Sequence, residues 1–448
     1  MRSAAGKIDF DMKEKRLLNN AKWIIACKSI QSLIQLAIGM LTARYLGPSN
    51  YGLINYASSV VAIAIPIMRL GLNEILVWEY VEKPGREGEI LGTALVMNAV
   101  SAVACIIGVT AFTAVANHGE PMTILVCVLY STSLLFQGIE MVQYWFQAKL
   151  LSKYSSLAML CAYVVVSAYK VFLLVKAKSV YWFALSHSVE CAVTGVLLLT
   201  AYRIKGTGKL RFSVETARTM LSKGKYYIAS ALMVVAFNST ASILMKLLIG
   251  TEENGYFSAA VTCACVVQFV FLAIIDSARP MILESRKISK KEFERNISKL
   301  YCAIIYLALA QSIVFSILAE LIIRILYGVD YMASVPVLQI LVWQSVFSYM
   351  GTIRNVWILA EEKDSRLWVI NLCGALTNIA LNLVLIPLWD ACGAAAAAVL
   401  TQFITNFVIG FIMKDIWPNN RLMLAGLNPR FAWETLWDFV KKVCVNRP

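Results

Sequence analysis

Polar side chains at helical spacing inside an apolar run are the first residues in this chain that could do chemistry. Lys28, Gln31, Gln35 and Thr42 share one face of a helix predicted over residues 18–45. At ~1.5 Å per residue, Lys28 lies ~16 Å into that helix, too deep to reach a membrane surface easily. A lysine there costs about 2.5–3.5 kcal/mol on insertion scales unless it meets water or a partner. The stripe predicts a cavity wall, with hydrogen bonds between helices as the alternative.

The next apolar run, residues 51–78, repeats this feature. Asn55, Ser59, Arg69 and Asn73 fall within a narrow arc, although Pro66 is expected to kink the helix. The loop between the two runs, "RYLGPSNYG", contains the helix-stopping residues that a tight joint needs. We predict a hairpin that lets Lys28 and Arg69 face the inner wall of one lobe.

Three further cations lie nearer the ends of their runs. They are Lys170, Lys246 and Arg354, and for each the alternative to cavity lining is a side chain that reaches the membrane surface.

Glu190 is the acid best placed to carry a coupling proton. It lies near the middle of the sixth predicted span, with His187 one turn before it on the same face. Burial raises the pKa of a carboxyl group, and histidine titrates near neutrality, so the two could exchange a proton. A structural hydrogen bond between helices is the alternative. Asp276 is a further candidate for ion coupling, although Arg279 three residues later also suits an intrahelical ion pair.

Glu140 lies in the polar segment "QGIEMVQYWFQ". Amides and aromatic rings together suit sugar hydroxyls and sugar faces. They suit the interfacial end of a helix almost as well.

Composition places these residues in a membrane protein. The chain is 59% hydrophobic and 15% charged, and its apolar runs are long enough to cross a ~30 Å hydrocarbon layer. We predict an all-α polytopic protein with twelve spans, at residues 18–45, 51–78, 90–116, 121–147, 154–176, 179–202, 224–249, 255–282, 298–326, 334–360, 367–388 and 391–413.

Basic residues predict the orientation of the spans. They concentrate in the first 16 residues and in the connections 203–225 and 284–299, whereas most alternate connections have none. The positive-inside rule then places both termini in the cytoplasm. The net charge of +14 is explained by this bias, so we expect no nucleic-acid partner.

An internal repeat at an offset of 203 residues predicts two lobes. "GPSNYG" from Gly47 matches the glycine spacing of "GTEENG" from Gly250, and the same shift places Asn73 on Asp276. Two six-helix lobes with the same inward start require a pseudo-twofold axis along the membrane normal. We predict an N-terminal lobe at 1–202 with a cytoplasmic tail at 1–17, a linker at 203–223, a C-terminal lobe at 224–413 and an interfacial tail at 414–448. Within that tail, residues 431–444 have an amphipathic helical pattern, which predicts a helix in the cytoplasmic interface, with packing against the outside of the second lobe as the alternative.

The cysteines do not predict a metal site, since those within the apolar runs lack ligand spacing supported by histidines. No G-x-x-x-x-G-K-[ST] motif predicts ATP binding either. We expect no cofactor and no metal ion.

The first hairpin, "IGMLTARYLGPSNYGLINYASSVVAIAIPIMRLGLNEILV", resembles that of the bacterial polysaccharide transporters, the O-antigen (Wzx-type) flippases. Their superfamily also contains the multidrug and toxin exporters. The resemblance implies a flippase in the bacterial inner membrane that moves an undecaprenyl-diphosphate-linked oligosaccharide to the periplasmic leaflet by alternating access. It implies coupling to a proton or sodium gradient, and contact with membrane lipids and with the polysaccharide polymerase machinery. Lys28 and Arg69 could bind the diphosphate.

Two alternatives to a flippase remain. A multidrug exporter would share the fold, but an acid-lined cavity is expected for cationic drugs, and the deepest charge of the first helix is basic. A membrane-embedded glycosyltransferase or polymerase needs sizeable external loops, which the predicted short connections do not provide. We therefore predict a transporter and not an enzyme.

Overall fold

The computed structural model describes residues 2–206, 208–363 and 365–428, with side chains from Trp23 onward except at position 25. All regular secondary structure in these residues is helical. The chain divides into two compact units, and the boundary falls between Ser239 and Thr240. The prediction of an all-α membrane protein is confirmed.

The helices of the first unit include a long helix, α9, that continues into the second unit. They are α1 (Arg2–Arg69), α2 (Leu72–Glu82), α3 (Glu87–Ala116), α4 (Pro121–Ser131), α5 (Ser133–Gln137), α6 (Val142–Ala148), α7 (Ser152–Val175), α8 (Val180–Lys205) and α9 (Val214–Leu248). A short 3-10 turn, Gly138–Met141, joins α5 to α6.

Gly47 divides α1 into two arms. Its φ of 71° and ψ of 170° are not helical, and glycine adopts this conformation without steric cost. Pro48 then starts the second arm, which suits a proline because the first turn of a helix needs no backbone donor there. Gly250, at the matching position of the repeat, also has a positive φ, 146°.

The predicted span 51–78 is interrupted at Leu70 and Gly71, which both have positive φ and separate α1 from α2. The backbone of Gly224 on α9 lies directly against this break. A Cβ atom on Gly71 would overlap the Gly224 carbonyl, and one on Gly224 would overlap the Leu70 carbonyl. The two glycines therefore permit a backbone contact that no side chain could accompany.

The second unit contains the remaining helices of the described residues. They are α10 (Thr251–Cys265), α11 (Gln268–Ile288), α12 (Lys290–Ile317), α13 (Ala319–Leu326), α14 (Ser334–Leu341), α15 (Gln344–Ala360), α16 (Ser365–Phe403), α17 (Ile409–Ile412) and α18 (Trp417–Gly426). Trp389 and Asp390 break α16 into two arms, and a π-helical turn, Ile404–Val408, links it to α17.

Nine helices in the described ranges are long and apolar enough to cross a membrane. Two of them, Ala26–Glu82 and Ser365–Ile412, each cover two predicted spans. The predicted span 334–360 is divided between α14 and α15 and is not among the nine. The count of twelve spans and the pseudo-twofold axis stay predictions, and the predicted amphipathic helix at 431–444 lies outside the described residues.

The apolar residues divide between the core and the lipid. Leu72, Leu91 and Phe146 belong to a buried cluster of the first unit. Val100 and Ile107 on α3 are instead largely exposed. Exposed aliphatic residues seven apart lie on one helix face, which in a membrane contacts lipid tails at no cost.

Candidate functional site

The first unit encloses an open cavity of ≈ 500 Å³. Both arms of α1 contribute to its wall, with residues from α4, α5, α7 and α8. The uncharged polar lining consists of Gln31, Gln35, Thr42, Asn55, Ser58, Gln137 and Ser186, and the aromatic lining of Tyr51, Tyr130, Tyr163 and Phe183. The ionisable groups other than tyrosine are Lys170, His187 and Glu190.

Helical periodicity explains how single elements supply these groups. Gln31, Gln35 and Thr42 follow spacings of four and seven on the first arm of α1, so they line the same wall. On the second arm, the Asn55 amide donates a hydrogen bond to the Tyr51 carbonyl oxygen at 2.8 Å. This bond fixes the side chain on the cavity face of its helix.

Contacts from two other helices constrain the position of His187 in the cavity. Its ring stacks on Tyr130 with centroids 4.8 Å apart, and the Tyr130 hydroxyl donates to Ser58 at 3.1 Å. The Nε2 atom of His187 lies 3.4 Å from the amide nitrogen of Gln137. Three helices therefore hold the imidazole, and its orientation does not depend on Glu190 alone.

Glu190 lies near two basic side chains, His187 on its own helix and Lys170 on α7. Its Oε2 atom is 3.8 Å from Nδ1 of His187, one helical turn away. Lys170 on α7 also interacts electrostatically with it. A carboxylate in this position can bind a proton or a monovalent cation, and it can exchange the proton with the imidazole.

A second charged pair is formed by two predicted site residues. Arg69 Nη2 lies 3.2 Å from Glu140 Oε2, and both side chains are mostly buried. Glu140 also interacts electrostatically with His187 and Glu190, which connects this pair to the ionisable groups of the cavity. Because Glu140 balances the charge of Arg69, this guanidinium is a weaker candidate for binding diphosphate than its sequence position indicated.

Like Arg69 and Glu140, the predicted site residues Lys28 and Asn73 are not part of the cavity lining. Lys28 lies on the exposed side of α1, one turn before Gln31. Asn73 donates a hydrogen bond to the neighbouring Glu74 at 2.9 Å on α2.

The predicted residues of the second unit lie on three different helices. Lys246 is buried near the end of α9, and Asp276 is exposed on α11. Arg354 is buried, with only 4% of its surface exposed, and its Nη1 donates to the Thr405 carbonyl oxygen at 2.8 Å. Thr405 belongs to the π-helical turn, where the helical hydrogen-bond pattern is altered.

Sequence reasoning missed the aromatic part of the site and underrated Lys170. Tyr163 and Lys170 are seven residues apart on α7, so helical spacing could have identified them as a pair. The stacking of Tyr130 on His187 joins different helices and has no signal in the local sequence.

Metal binding finds no support in the part of the chain that the structure describes. No cluster of three or more His, Cys, Asp or Glu residues there could hold a metal ion.

A family model described as "Polysaccharide biosynthesis protein" matches residues 17–286, more than half of the chain. The chain belongs to this family. Two curated relatives match nearly its whole length. The "Capsular polysaccharide biosynthesis protein CapF" of Staphylococcus aureus is 21% identical over 89% of this chain and 100% of its own. The "Putative O-antigen transporter" of Escherichia coli K12 is 20% identical over 91% and 98%.

Solved structures with the same fold are transporters. An inward-facing multidrug resistance MATE family transporter of the MOP superfamily superposes with a TM-score of 0.67 at 13% identity, covering 88% of this chain and 95% of its own. The lipid II flippase MurJ, in an inward closed conformation, also gives 0.67 at 13% identity, with coverage of 94% and 99%. The chain therefore shares its fold with these two transporters.

Proposed function

We propose that this protein is a flippase that moves an undecaprenyl-diphosphate-linked oligosaccharide from the cytoplasmic to the periplasmic leaflet of the bacterial inner membrane. The observation that carries this proposal is the cavity of the first unit. Its wall combines amides, hydroxyls and aromatic rings with a balanced set of charges. Amides and hydroxyls form hydrogen bonds with sugar hydroxyls, and aromatic rings cover the apolar faces of sugars.

The ionisable groups of the cavity support coupling to an ion gradient. Glu190 carries the exchangeable proton or cation, and Lys170 and His187 set its charge balance. Coupling of alternating access to a gradient needs a group that binds the ion with different affinity in the inward-open and outward-open states, because a ligand shifts a conformational equilibrium only by its differential affinity for the two states.

The likeness to known folds does not choose between a flippase and a drug exporter, since the MATE transporter and MurJ give the same TM-score. The choice rests on the cavity. A site for a cationic drug needs excess negative charge, whereas Glu190 here is accompanied by Lys170 and His187. The membership in the polysaccharide biosynthesis family also supports the flippase.

Reconstitution tests this function directly. Purified protein in vesicles is supplied with a fluorescent undecaprenyl-diphosphate-linked oligosaccharide, with and without an imposed proton or sodium gradient. We expect translocation that is accelerated by one of the gradients, and no growth of the glycan. Export of a cationic dye without lipid translocation would support the exporter, and glycan elongation would support the enzyme.

A matched pair of variants connects the activity to the cavity. Gln35→Leu removes an amide from the cavity wall, whereas Gln147→Leu removes an exposed amide elsewhere in the same unit. We expect the Gln35 variant to translocate the lipid-linked oligosaccharide several-fold more slowly than the Gln147 variant. Equal rates would contradict the proposed role of the cavity.

A further inference from the structure

The segment that joins α8 to α9 presents basic and apolar side chains together at its surface. We define the linker surface as Arg203, Ile204, Lys209, Leu210, Arg211 and Phe212, all of which are exposed. From this arrangement we propose that the linker surface is a docking site for anionic phospholipid headgroups of the adjacent leaflet.

The backbone of the linker is held tightly against α3. The Arg211 amide donates to the Gly88 carbonyl oxygen at 3.2 Å, and the Ser213 amide donates to the Thr93 hydroxyl at 3.1 Å. A Cβ atom on Gly88 or Gly92 would overlap the linker backbone. The backbone of the segment is therefore fixed against α3, and its side chains from 209 to 212 stay exposed.

One tyrosine attaches the linker to the end of α8. The Tyr202 hydroxyl donates to the Gly208 carbonyl oxygen at 3.5 Å, and its ring lies against Gly206. Gly208, immediately before Lys209, is therefore held beside the last turns of α8, where Arg203 and Ile204 are exposed.

The length of α3 places the linker at the depth of the lipid headgroups. A helix of 30 residues is ~45 Å long, which exceeds a ~30 Å hydrocarbon layer by ~7 Å at each end if it is centred. Gly88 and Thr93 lie in the first two turns of this helix. The linker, which is bonded to these turns, lies at the boundary between headgroups and hydrocarbon.

The apolar members of the linker surface suit this boundary better than water. Phe212 is 52% exposed, Leu210 47% and Ile204 73%. Exposure of these apolar side chains to water is unfavourable. At a membrane interface they can enter the acyl region while the neighbouring basic residues stay among the headgroups.

The charge of the linker surface determines which lipid it fits. Within the described residues, Arg203, Lys209 and Arg211 have no carboxylate at ion-pair distance. Other linker cations are already engaged, since Lys223 pairs with Glu79 at 2.6 Å and Lys205 lies over the Tyr154 ring. Basic residues next to a membrane span attract anionic lipids, with about 1 kcal/mol for each charge near the surface.

The first test measures lipid affinity on the intact detergent-purified chain by native mass spectrometry, with phosphatidylglycerol and phosphatidylcholine as probes. We expect Lys209→Gln/Arg211→Gln to weaken phosphatidylglycerol binding by up to about thirtyfold, or about fivefold for each charge, without changing phosphatidylcholine binding. The matched control, Lys176→Gln/Lys178→Gln, removes two exposed charges beyond the other end of α7–α8 and should bind like the wild type.

Unchanged phosphatidylglycerol affinity in the Lys209/Arg211 variant would overturn the proposal. If that variant instead lost an oligomer or a bound acidic protein, the surface would be a protein contact and the proposal would also fail. Both measurements omit the lipid-linked oligosaccharide, so their outcome is independent of the proposed transport function.

The second test measures depth. The Phe212→Trp variant is reconstituted in nanodiscs whose phospholipids carry bromine on the acyl chains. Quenching of its tryptophan fluorescence is compared with that of the unmodified chain in the same nanodiscs. We expect the Phe212→Trp variant to show an additional fluorescence component that the bromine atoms quench, and we expect this quenching to increase when phosphatidylglycerol is present. Unquenched fluorescence from this position would show that the linker surface lies in water and would contradict the proposal.

Discussion

Lys223 Nζ lies 2.6 Å from Oε1 of Glu79, a carboxylate with no exposed surface, and so connects the start of α9 to α2. Lys83 holds the other oxygen of Glu79 at 2.8 Å. The Lys223 ammonium also lies 3.9 Å from the centroid of the Trp78 ring. Within the first unit, the linker is thus attached at two points, to α3 at Gly88 and Gly92 and to α2 at Glu79.

Glu79→Gln should destabilise the first unit. Two ammonium groups would lose their shared buried partner. Because about a third of each lysine side chain is exposed to solvent, the loss is smaller than the cost of about 3–5 kcal/mol for breaking a fully buried ion pair. We expect a clearly lower Tm in detergent than for Glu74→Gln, which changes an exposed carboxylate on the same helix. Equal melting temperatures for the two variants would show that Glu79 is dispensable.

Gly224→Ala should disrupt the contact between α9 and the break before α2. The added methyl group would overlap the Leu70 carbonyl, and the backbone at Leu70 and Gly71 already has positive φ. We expect the free energy of unfolding to fall by about 1–3 kcal/mol, the usual cost of overpacking, which would be seen as a lower yield and a lower Tm. Gly108→Ala on α3, where a Cβ meets nothing within 4 Å, is the control and should be neutral.

Glu190→Gln should impair gradient-driven transport more than substrate binding. The amide keeps the shape of the side chain but can no longer exchange a proton or neutralise Lys170. The measurement compares translocation in vesicles with and without an imposed gradient. Glu320→Gln, which changes an exposed acid paired with Arg324 at 3.0 Å, should behave like the wild type. Normal gradient-driven transport by the Glu190 variant would remove this residue from the coupling candidates.

Lys28 lies outside the cavity lining but stays a candidate for binding the diphosphate, so Lys28→Ala should reduce glycan export. No loss of folded protein is expected, because removing a charge that is costly in a membrane does not threaten insertion. Lys28→Arg should keep part of the activity, since a guanidinium retains the charge and can grip phosphate with two donors. Complementation of a flippase-deficient strain, normalised to membrane protein level, measures both. Full activity per molecule in Lys28→Ala would exclude a phosphate-binding role, and a lower Tm at full activity would indicate a purely structural lysine.

The orientation is tested by labelling single cysteines with a reagent that does not cross membranes. Glu215→Cys in the linker should be protected in intact cells, and Glu252→Cys at the start of α10 should be labelled, because basic residues concentrate on the linker side. Both positions are exposed, so access to the reagent depends only on the side of the membrane. The reverse labelling pattern would refute cytoplasmic termini.

The sequence by itself determined the features that depend on local spacing. The thickness of the bilayer determines how many consecutive apolar residues a spanning helix needs. Runs of that length made membrane insertion and the all-helical fold predictable from the sequence. The break at Gly47 follows from a glycine and proline that cannot continue a helix. The shared placement of Gln31, Gln35 and Thr42 on the cavity wall follows from the 3.6-residue period, and the first hairpin was specific enough to indicate the family.

Only the tertiary structure decided which groups from different helices meet. Arg69 shares its charge with Glu140, 71 residues later, and Tyr130 stacks on His187 across 57 positions. Such pairs depend on how helices pack, which the period of a single helix does not specify. The attachment of the linker to α3 is of the same kind. Nothing in the local sequence distinguishes Gly88 from other helix residues, and only the structure shows that the Arg211 amide donates a hydrogen bond to its carbonyl oxygen.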